Sequence, residues 1–193
     1  MKAKAIRVKP TSDNIKKARE FAKKFLKEYP GELNHNTSTA KYQQTMNDDQ
    51  YRFIVNTNNK IIGYVNFDII GQKSDDSKFR SINNMFIERN YRGLGYARDV
   101  RKQLLSEKAD IPVKTTVISM YRLTDRVDYW IEQGFKYWCF APHNKHEDPR
   151  VRGEDIDTNQ LLVLLGTDIN DNVQADHSIS LLENLKLELE ETK

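Results

Sequence analysis

The first part of the chain alternates between helical and strand-like spacing of its apolar residues. Between Thr11 and Tyr29 apolar side chains recur every three or four residues, which predicts an amphipathic helix with Thr11 or Ser12 as its N-cap. A short strand over 5–9 precedes this helix, and a weaker helix over 40–46 follows it. The apolar positions of the first helix are Ile15, Ala18, Phe21, Ala22, Phe25 and Leu26.

The middle of the chain has the spacing of β-structure. Residues 51–57 and 60–71 predict two strands, and the Asn58-Asn59 pair between them predicts a hairpin because asparagine tolerates positive φ. Residues 72–80 are polar and predict a loop, after which 82–88 predict another strand.

The second half predicts alternating helices and strands. We expect them in order over 97–107, 112–120, 125–133, 135–140 and 160–165, with Gly134 ending the second helix. The last of these strands is almost wholly apolar, which predicts burial on both faces. Ser180 and Glu183 fit a capping box, and the leucines after them predict a final helix over 180–189. That helix is expected to pack on its own domain or on a second subunit of a homodimer.

Composition narrows the class of protein. A chain of 193 residues predicts one ordinary domain, which we place at 1–166, followed by a C-terminal loop and acidic helix at 167–193. No apolar run is long enough for a membrane span or a signal peptide. The single cysteine, Cys139, excludes an internal disulfide and indicates a reducing, cytoplasmic setting. The net charge of +3 and a basic N-terminal region without interleaved aromatic residues disfavour nucleic-acid binding.

The strongest chemical signal is a glycine turn between the strand at 82–88 and the helix at 97–107. Its sequence is Arg92-Gly93-Leu94-Gly95-Tyr96-Ala97. Glycine permits positive φ and close approach of a ligand to the backbone, and a helix N-terminus presents free N–H groups to an anion. Further positive charge comes from Arg92, Arg98, Arg101 and Lys102. The turn therefore predicts a phosphate or diphosphate site.

Two other phosphate-binding motifs fit less well. A Walker loop ends in Gly-Lys-Ser/Thr, whereas this turn ends in Gly95-Tyr96-Ala97. A dinucleotide fingerprint requires a third glycine where Arg98 stands. An ordinary strand-to-helix turn that uses glycine only for its geometry is the remaining alternative.

The order of elements, the Arg92-x-x-Gly95-x-Ala97 signature and the segment Trp130-Ile131-Glu132-Gln133-Gly134-Phe135 resemble the GCN5-related N-acetyltransferase (GNAT) family over about residues 5–165. The resemblance implies an α/β (α+β) fold with a mixed, mostly antiparallel sheet flanked by helices and splayed at the cofactor slot. It also implies acetyl transfer from acetyl-CoA to a primary amine by direct attack, without a metal. The cofactor-binding residues it implies are Met85, Phe86, Ile87, Arg92, Gly93, Leu94, Gly95, Tyr96, Ala97 and Arg98.

The catalytic groups are less clearly indicated. Many family members place a tyrosine acid where this chain has Trp130, and an indole is not a useful acid. Tyr129 and Tyr121 are the alternative acids, Glu88 is a candidate base, and an enzyme without a dedicated acid is also consistent with the sequence. The His143-x-x-His146 pair lacks a third ligand and predicts no metal site.

A binding protein on the same scaffold is the alternative function. It would hold acyl-CoA or a protein partner with little or no catalysis. Trp130 in place of tyrosine, and Asn83 and Asn84 where some relatives carry an acidic residue, favour this alternative. A nucleic-acid-associated protein that uses its basic N-terminal helix is the third class.

Overall fold

The computed structural model of the chain describes residues 2–29, 38–71, 78–119, 127–135, 137–141, 162–167 and 179–181. The chain divides into two compact units. The first unit comprises Met1–Asp68 and Ile82–Glu107, and the second comprises Ile69–Ser81 and Lys108–Lys193. Two strands, β3 and β4, contribute residues to both units.

The first unit is a sheet with helices on its faces. Its strands follow the order β1-β2-β3-β4, and β2 pairs antiparallel with both β1 and β3. The elements are, in chain order, β1 (Ala3–Arg7), α1 (Ser12–Glu28), α2 (Thr39–Asn47), β2 (Tyr51–Asn56), β3 (Ile61–Gly71), β4 (Lys78–Ile87) and α3 (Tyr96–Ser106).

Helix α1 forms where the apolar spacing predicts it. The Thr11 side chain accepts a hydrogen bond from the Asn14 N–H group, so Thr11 is the N-cap. Phe21 and Phe25 are buried on the inner face of α1. The edge of the Phe25 ring meets the Phe86 ring of β4, with 5.9 Å between centroids. The aromatic core of the first unit therefore lies between α1 and the sheet.

The predicted hairpin between β2 and β3 is confirmed. Asn59 has a φ of 56°, and the Asn56 side-chain oxygen accepts from the N–H groups of Asn58 and Lys60. The predicted loop over 72–80 is wrong from Lys78 onward, because β4 begins there and Phe79 and Arg80 are buried. Polar side chains such as that of Arg80 obscured the strand pattern. The Arg80 guanidinium donates to the Ile111 carbonyl oxygen, which compensates for its burial.

The second unit contains β5 (Val113–Ser119), α4 (Val127–Glu132), β6 (Tyr137–Ala141), β7 (Leu162–Gly166) and β8 (Ile179–Leu181). Its strands follow the order β5-β7-β6-β8, and each of these pairings is antiparallel. Gly134 has a φ of 92° just after α4, as expected for a helix-ending glycine.

The predicted final helix is wrong at its start. Ser180 lies in β8, whose residues Ile179 and Leu181 pair with Trp138 and Tyr137 of β6. Hydrogen bonding to a neighbouring strand overrides a local capping signal, because it satisfies backbone groups that a capping box would satisfy only in a helix. The rest of that predicted helix lies outside the described residues, and the boundary at residue 166 stays a prediction.

The predicted fold class is confirmed, with a mixed, mostly antiparallel sheet flanked by helices. None of the helices in the described part of the chain is long and apolar enough to cross a membrane.

Candidate active site

The glycine turn extends back from Arg92 to Glu88, so that residues 88–97 lead from β4 into the first residues of α3 within the first unit. It begins with a single 3-10 turn at Arg89–Tyr91. Gly93 and Gly95 then have φ values of 75° and 82°, so both use the conformational freedom for which the sequence predicts glycine. Gly95 is the N-cap of α3.

The N-terminus of α3 is open. Gly95 offers no side-chain cap, and the first helical hydrogen bond runs from the Asp99 N–H group to the Gly95 carbonyl oxygen at 3.1 Å. Among the residues that the structure describes, no backbone carbonyl accepts from the N–H groups of 93–98. These donors, together with the positive end of the helix dipole, form a site suited to an anion.

Space above the turn is open too. A Cβ atom built on Gly93 meets no described atom within 4 Å, and one on Gly95 meets only the Arg98 guanidinium, at 3.4 Å. Leu94 between them is 49% exposed. A ligand can therefore approach the backbone of Gly93, with the Arg98 guanidinium beside it.

Arg92 does not extend toward that open space. Its Nε donates to the Ile87 carbonyl oxygen at 2.6 Å, and its terminal nitrogen lies 2.7 Å from the Glu28 carboxylate. Its guanidinium also lies over the Phe86 ring, 5.3 Å from the centroid. The sequence led us to expect a phosphate-facing charge at this position, and the structure instead turns the side chain back toward α1.

At the end of β4 the side chains are largely buried. The side chains of Phe86 and Ile87 are buried, whereas that of Met85 is half-buried. β3 approaches closely, since a Cβ on Gly63 would lie 2.0 Å from the Phe86 carbonyl oxygen. The Glu88 N–H group donates to the Ile62 carbonyl oxygen at 2.9 Å, which fixes the start of the turn.

The candidate catalytic residues fall in different units. Glu88 begins the glycine turn, and its carboxylate forms an ion pair with Lys24 of α1. Tyr129 belongs to α4 of the second unit, where it is half-buried and meets Trp130 edge-on at 5.2 Å. Trp130 is itself buried against Phe135. Tyr121, together with His143 and His146, lies outside the described residues.

The far end of α3 holds a charged cluster that sequence reasoning missed. The Arg52 side chain, only 1% exposed, makes two hydrogen bonds to Asp49 and two to Glu107, and Arg7 lies 3.0 Å from Asp49. We call Arg7, Asp49, Arg52 and Glu107 the Arg52 network. Burial lowers the pKa of Arg52, but its hydrogen bonds to the Asp49 and Glu107 carboxylates outweigh burial and raise the pKa above its usual value. The sequence signal that could have revealed this network is the position of Arg52 within the largely apolar strand β2.

A second pair of contacts holds α3 against β1. The Gln103 carboxamide accepts from the Ala5 N–H group at 2.8 Å and donates to the Ala5 carbonyl oxygen at 3.0 Å. These contacts place the helix, and so orient its open N-terminus. Within the described part of the chain, no group of three or more His, Cys, Asp or Glu side chains is placed to hold a metal.

Comparison with known proteins agrees with this geometry. Residues 18–111, which include the glycine turn, match the model of the acetyltransferase (GNAT) family. A search of curated protein sequences finds no match.

Solved structures share the fold at low sequence identity. A possible acetyltransferase from Clostridium difficile 630 has a TM-score of 0.55 at 15% identity, covering 81% of this chain and 99% of that one. Arabidopsis thaliana Naa50, in complex with the bisubstrate analogue CoA-Ac-MVNAL, has a TM-score of 0.53 at 11% identity, covering 88% and 100%. Ard1 from Thermoplasma volcanium has a TM-score of 0.52 at 10% identity, covering 86% and 96%. Residues 18–111 thus resemble the GNAT acetyltransferase family, and the chain has the fold of these solved structures.

Proposed function

We propose that the protein transfers an acetyl group from acetyl-CoA to a primary amine. The observation that carries this proposal is the row of backbone N–H groups over 93–98 that no described carbonyl accepts, at the open N-terminus of α3. These groups would hold the diphosphate of the cofactor, with Arg98 adding a positive charge. The backbone at Met85–Ile87 would contact the pantetheine arm.

The chemistry requires one bond to form and one to break. The acceptor nitrogen, after losing a proton, attacks the thioester carbonyl, and the carbon–sulfur bond breaks to release the CoA thiolate, which takes up a proton. Glu88 stays a candidate base and Tyr129 and Tyr121 stay candidate acids. The ion pair with Lys24 disfavours Glu88, because the carboxylate is already engaged by a cation of α1.

The acceptor class covers small amines, protein lysines and N-terminal amino groups. Naa50 was solved with an analogue that joins CoA to a peptide, which supports acetyl-CoA as donor and is consistent with a peptide acceptor. A cytoplasmic setting remains part of the proposal because the chain has a single cysteine. A homodimer remains an open expectation.

An acyl-CoA-binding module with weak catalysis is the second candidate. Trp130 favours it, since this side chain is 7% exposed and packs its ring against Phe135 at 5.8 Å. A buried indole at the position of the family's usual acid supplies packing rather than a proton.

The first test compares two substitutions of Gly93 that place similar strain on the backbone, of which one introduces a negative charge. Aspartate and asparagine both tolerate positive φ, so Gly93→Asp and Gly93→Asn differ chiefly in charge. We expect Gly93→Asp to bind acetyl-CoA about tenfold more weakly than Gly93→Asn in calorimetric titration, through repulsion of the diphosphate.

Gly134→Asp is the matched control, because Gly134 also has a positive φ and open space around its Cβ position. It should bind like the wild type. Equal binding by the two Gly93 variants would place the phosphates elsewhere. Release of CoA thiol across a panel of amines then separates the enzyme from the binding module.

A further inference from the structure

Two ion pairs of opposite polarity join helix α1 to the glycine turn. Lys24 pairs with Glu88, and four residues later on both segments Glu28 pairs with Arg92. We call these four residues the α1 clasp. Phe25, which lies on α1 between the two charged residues, packs edge-on against Phe86 at 5.9 Å. The first half of the turn is therefore held by charge and aromatic packing together.

Within the clasp, Arg92 has its guanidinium occupied on three sides. It contacts the Ile87 carbonyl oxygen, the Glu28 carboxylate and the face of the Phe86 ring. Charge-assisted hydrogen bonds of this kind are about twice as strong as neutral ones. Reaching a phosphate above Gly93 would require the side chain to leave all three partners.

We propose that Arg92 is a positioning residue and not the cation that meets the cofactor. It fixes the start of the turn to α1 and β4, so that the N–H groups over 93–98 stay in an array that fits a diphosphate. The charge contact falls to Arg98, whose guanidinium lies beside Gly95. This inference deepens the proposed function and rests on it for its ligand.

The positioning role predicts an effect of Glu28 on cofactor affinity that is opposite to the effect of its charge alone. Glu28 is an anion close to a site for an anion, so its removal would tighten cofactor binding if only charge mattered. If Glu28 acts through Arg92, its removal frees the guanidinium, loosens the turn and weakens binding. Arg92→Lys is equally informative, because it keeps the charge but loses the geometry of the guanidinium.

The experiment titrates acetyl-CoA into Arg92→Lys and Glu28→Ala at low and moderate salt, well below the unfolding temperature of each variant. Arg89→Lys and Glu20→Ala are the controls, since Arg89 is an exposed arginine that precedes the N–H groups of 93–98 and Glu20 is an exposed, ion-paired residue of α1. We expect both clasp variants to bind about threefold to tenfold more weakly, and the controls to bind within about twofold of the wild type.

Salt dependence separates positioning from contact when the charge is removed at both positions. Arg92→Gln should keep the salt dependence of the wild type, whereas Arg98→Gln should reduce it by removing a charge that salt screens. The proposal is overturned if Glu28→Ala binds as tightly as the wild type or more tightly, with Arg92→Lys unchanged.

A second readout does not need the cofactor. The N–H groups of Glu88 and Tyr91 donate to the carbonyl oxygens of Ile62 and Glu88, respectively. Hydrogen exchange at these two amides should be faster in Arg92→Lys and Glu28→Ala than in the two controls, and equal exchange contradicts the positioning role. If the wild-type protein does not bind acetyl-CoA but the clasp variants still exchange faster than the controls, the proposed function is rejected and the positioning role of the clasp is kept.

Discussion

The two ends of α3 treat their polar groups in opposite ways. At the N-terminus, Gly95 leaves the helix uncapped and donors over 93–98 without a described carbonyl partner. At the C-terminus, Glu107 and the buried Arg52 form a closely paired cluster with Asp49. One end is open to a ligand and the other is anchored to the sheet. A helix can present a precise binding end because its opposite end is held by the protein.

The largest expected effect comes from breaking the anchored end. Arg52→Met removes a buried guanidinium and leaves Asp49 and Glu107 with the exposed Arg7 as their remaining cation. We expect this to lower the free energy of unfolding by about 3 kcal/mol, since removing one partner of a buried ion pair is costly. Urea unfolding measures it.

Arg89→Met is the control for Arg52→Met, because Arg89 is exposed and lies in the glycine turn. It should change the free energy of unfolding by less than about 0.5 kcal/mol. An equal effect of the two substitutions would mean that the Arg52 network does not anchor α3.

A smaller effect is expected at the open end, where stability and binding should separate. Gly95→Ala and Gly134→Ala each place a Cβ on a residue with positive φ, so each should cost about 1–2 kcal/mol of stability. Only Gly95→Ala should also weaken acetyl-CoA binding, because only Gly95 lies at the N-terminus of α3. Thermal unfolding and calorimetric titration of both variants check this. Parallel losses of affinity would mean that strain, not position, weakens binding.

The smallest expected effect on stability comes from a polar group that is unpaired and buried, in contrast to the open donors at the N-terminus of α3. The Tyr51 hydroxyl is buried and has no hydrogen-bond partner in the described part of the chain. Burial, with added repulsion from Tyr42 and Tyr64, raises the pKa of Tyr51 well above its usual value. Tyr51→Phe should therefore stabilise the protein by about 1 kcal/mol at neutral pH.

The same substitution should change the alkaline behaviour. Above about pH 10 the unfolded tyrosine loses its proton while folded Tyr51 keeps it, so the wild type loses stability as pH rises through the unfolded pKa. Tyr51→Phe removes that contribution. Urea unfolding at pH 7 and near pH 10.5 measures the difference, with Tyr96→Phe as a half-buried control. If Tyr51→Phe is less stable than the wild type at pH 7, the Tyr51 hydroxyl stabilises the fold and the prediction is wrong.

Local pattern predicted much of the fold. Helix α1, its Thr11 cap and the Asn59 hairpin follow from interactions within a few residues, so their sequence signals are direct. The start of β4 at Lys78 and the strand at Ile179–Leu181 were missed, because each depends on a partner distant in sequence. Pairing between strands can override a polar run or a capping signal.

The same division applies to the site. The sequence by itself determined the glycine turn, since glycine adopts the φ values of Gly93 and Gly95 without strain and a helix start necessarily leaves donors free. Only the tertiary structure decided what the charges around it do. Arg92 meets Glu28 and Arg52 meets Glu107, contacts across 64 and 55 residues (92 − 28 and 107 − 52) that no local spacing encodes. A long, flexible cation pairs with whichever anion and carbonyl the packed fold brings within reach.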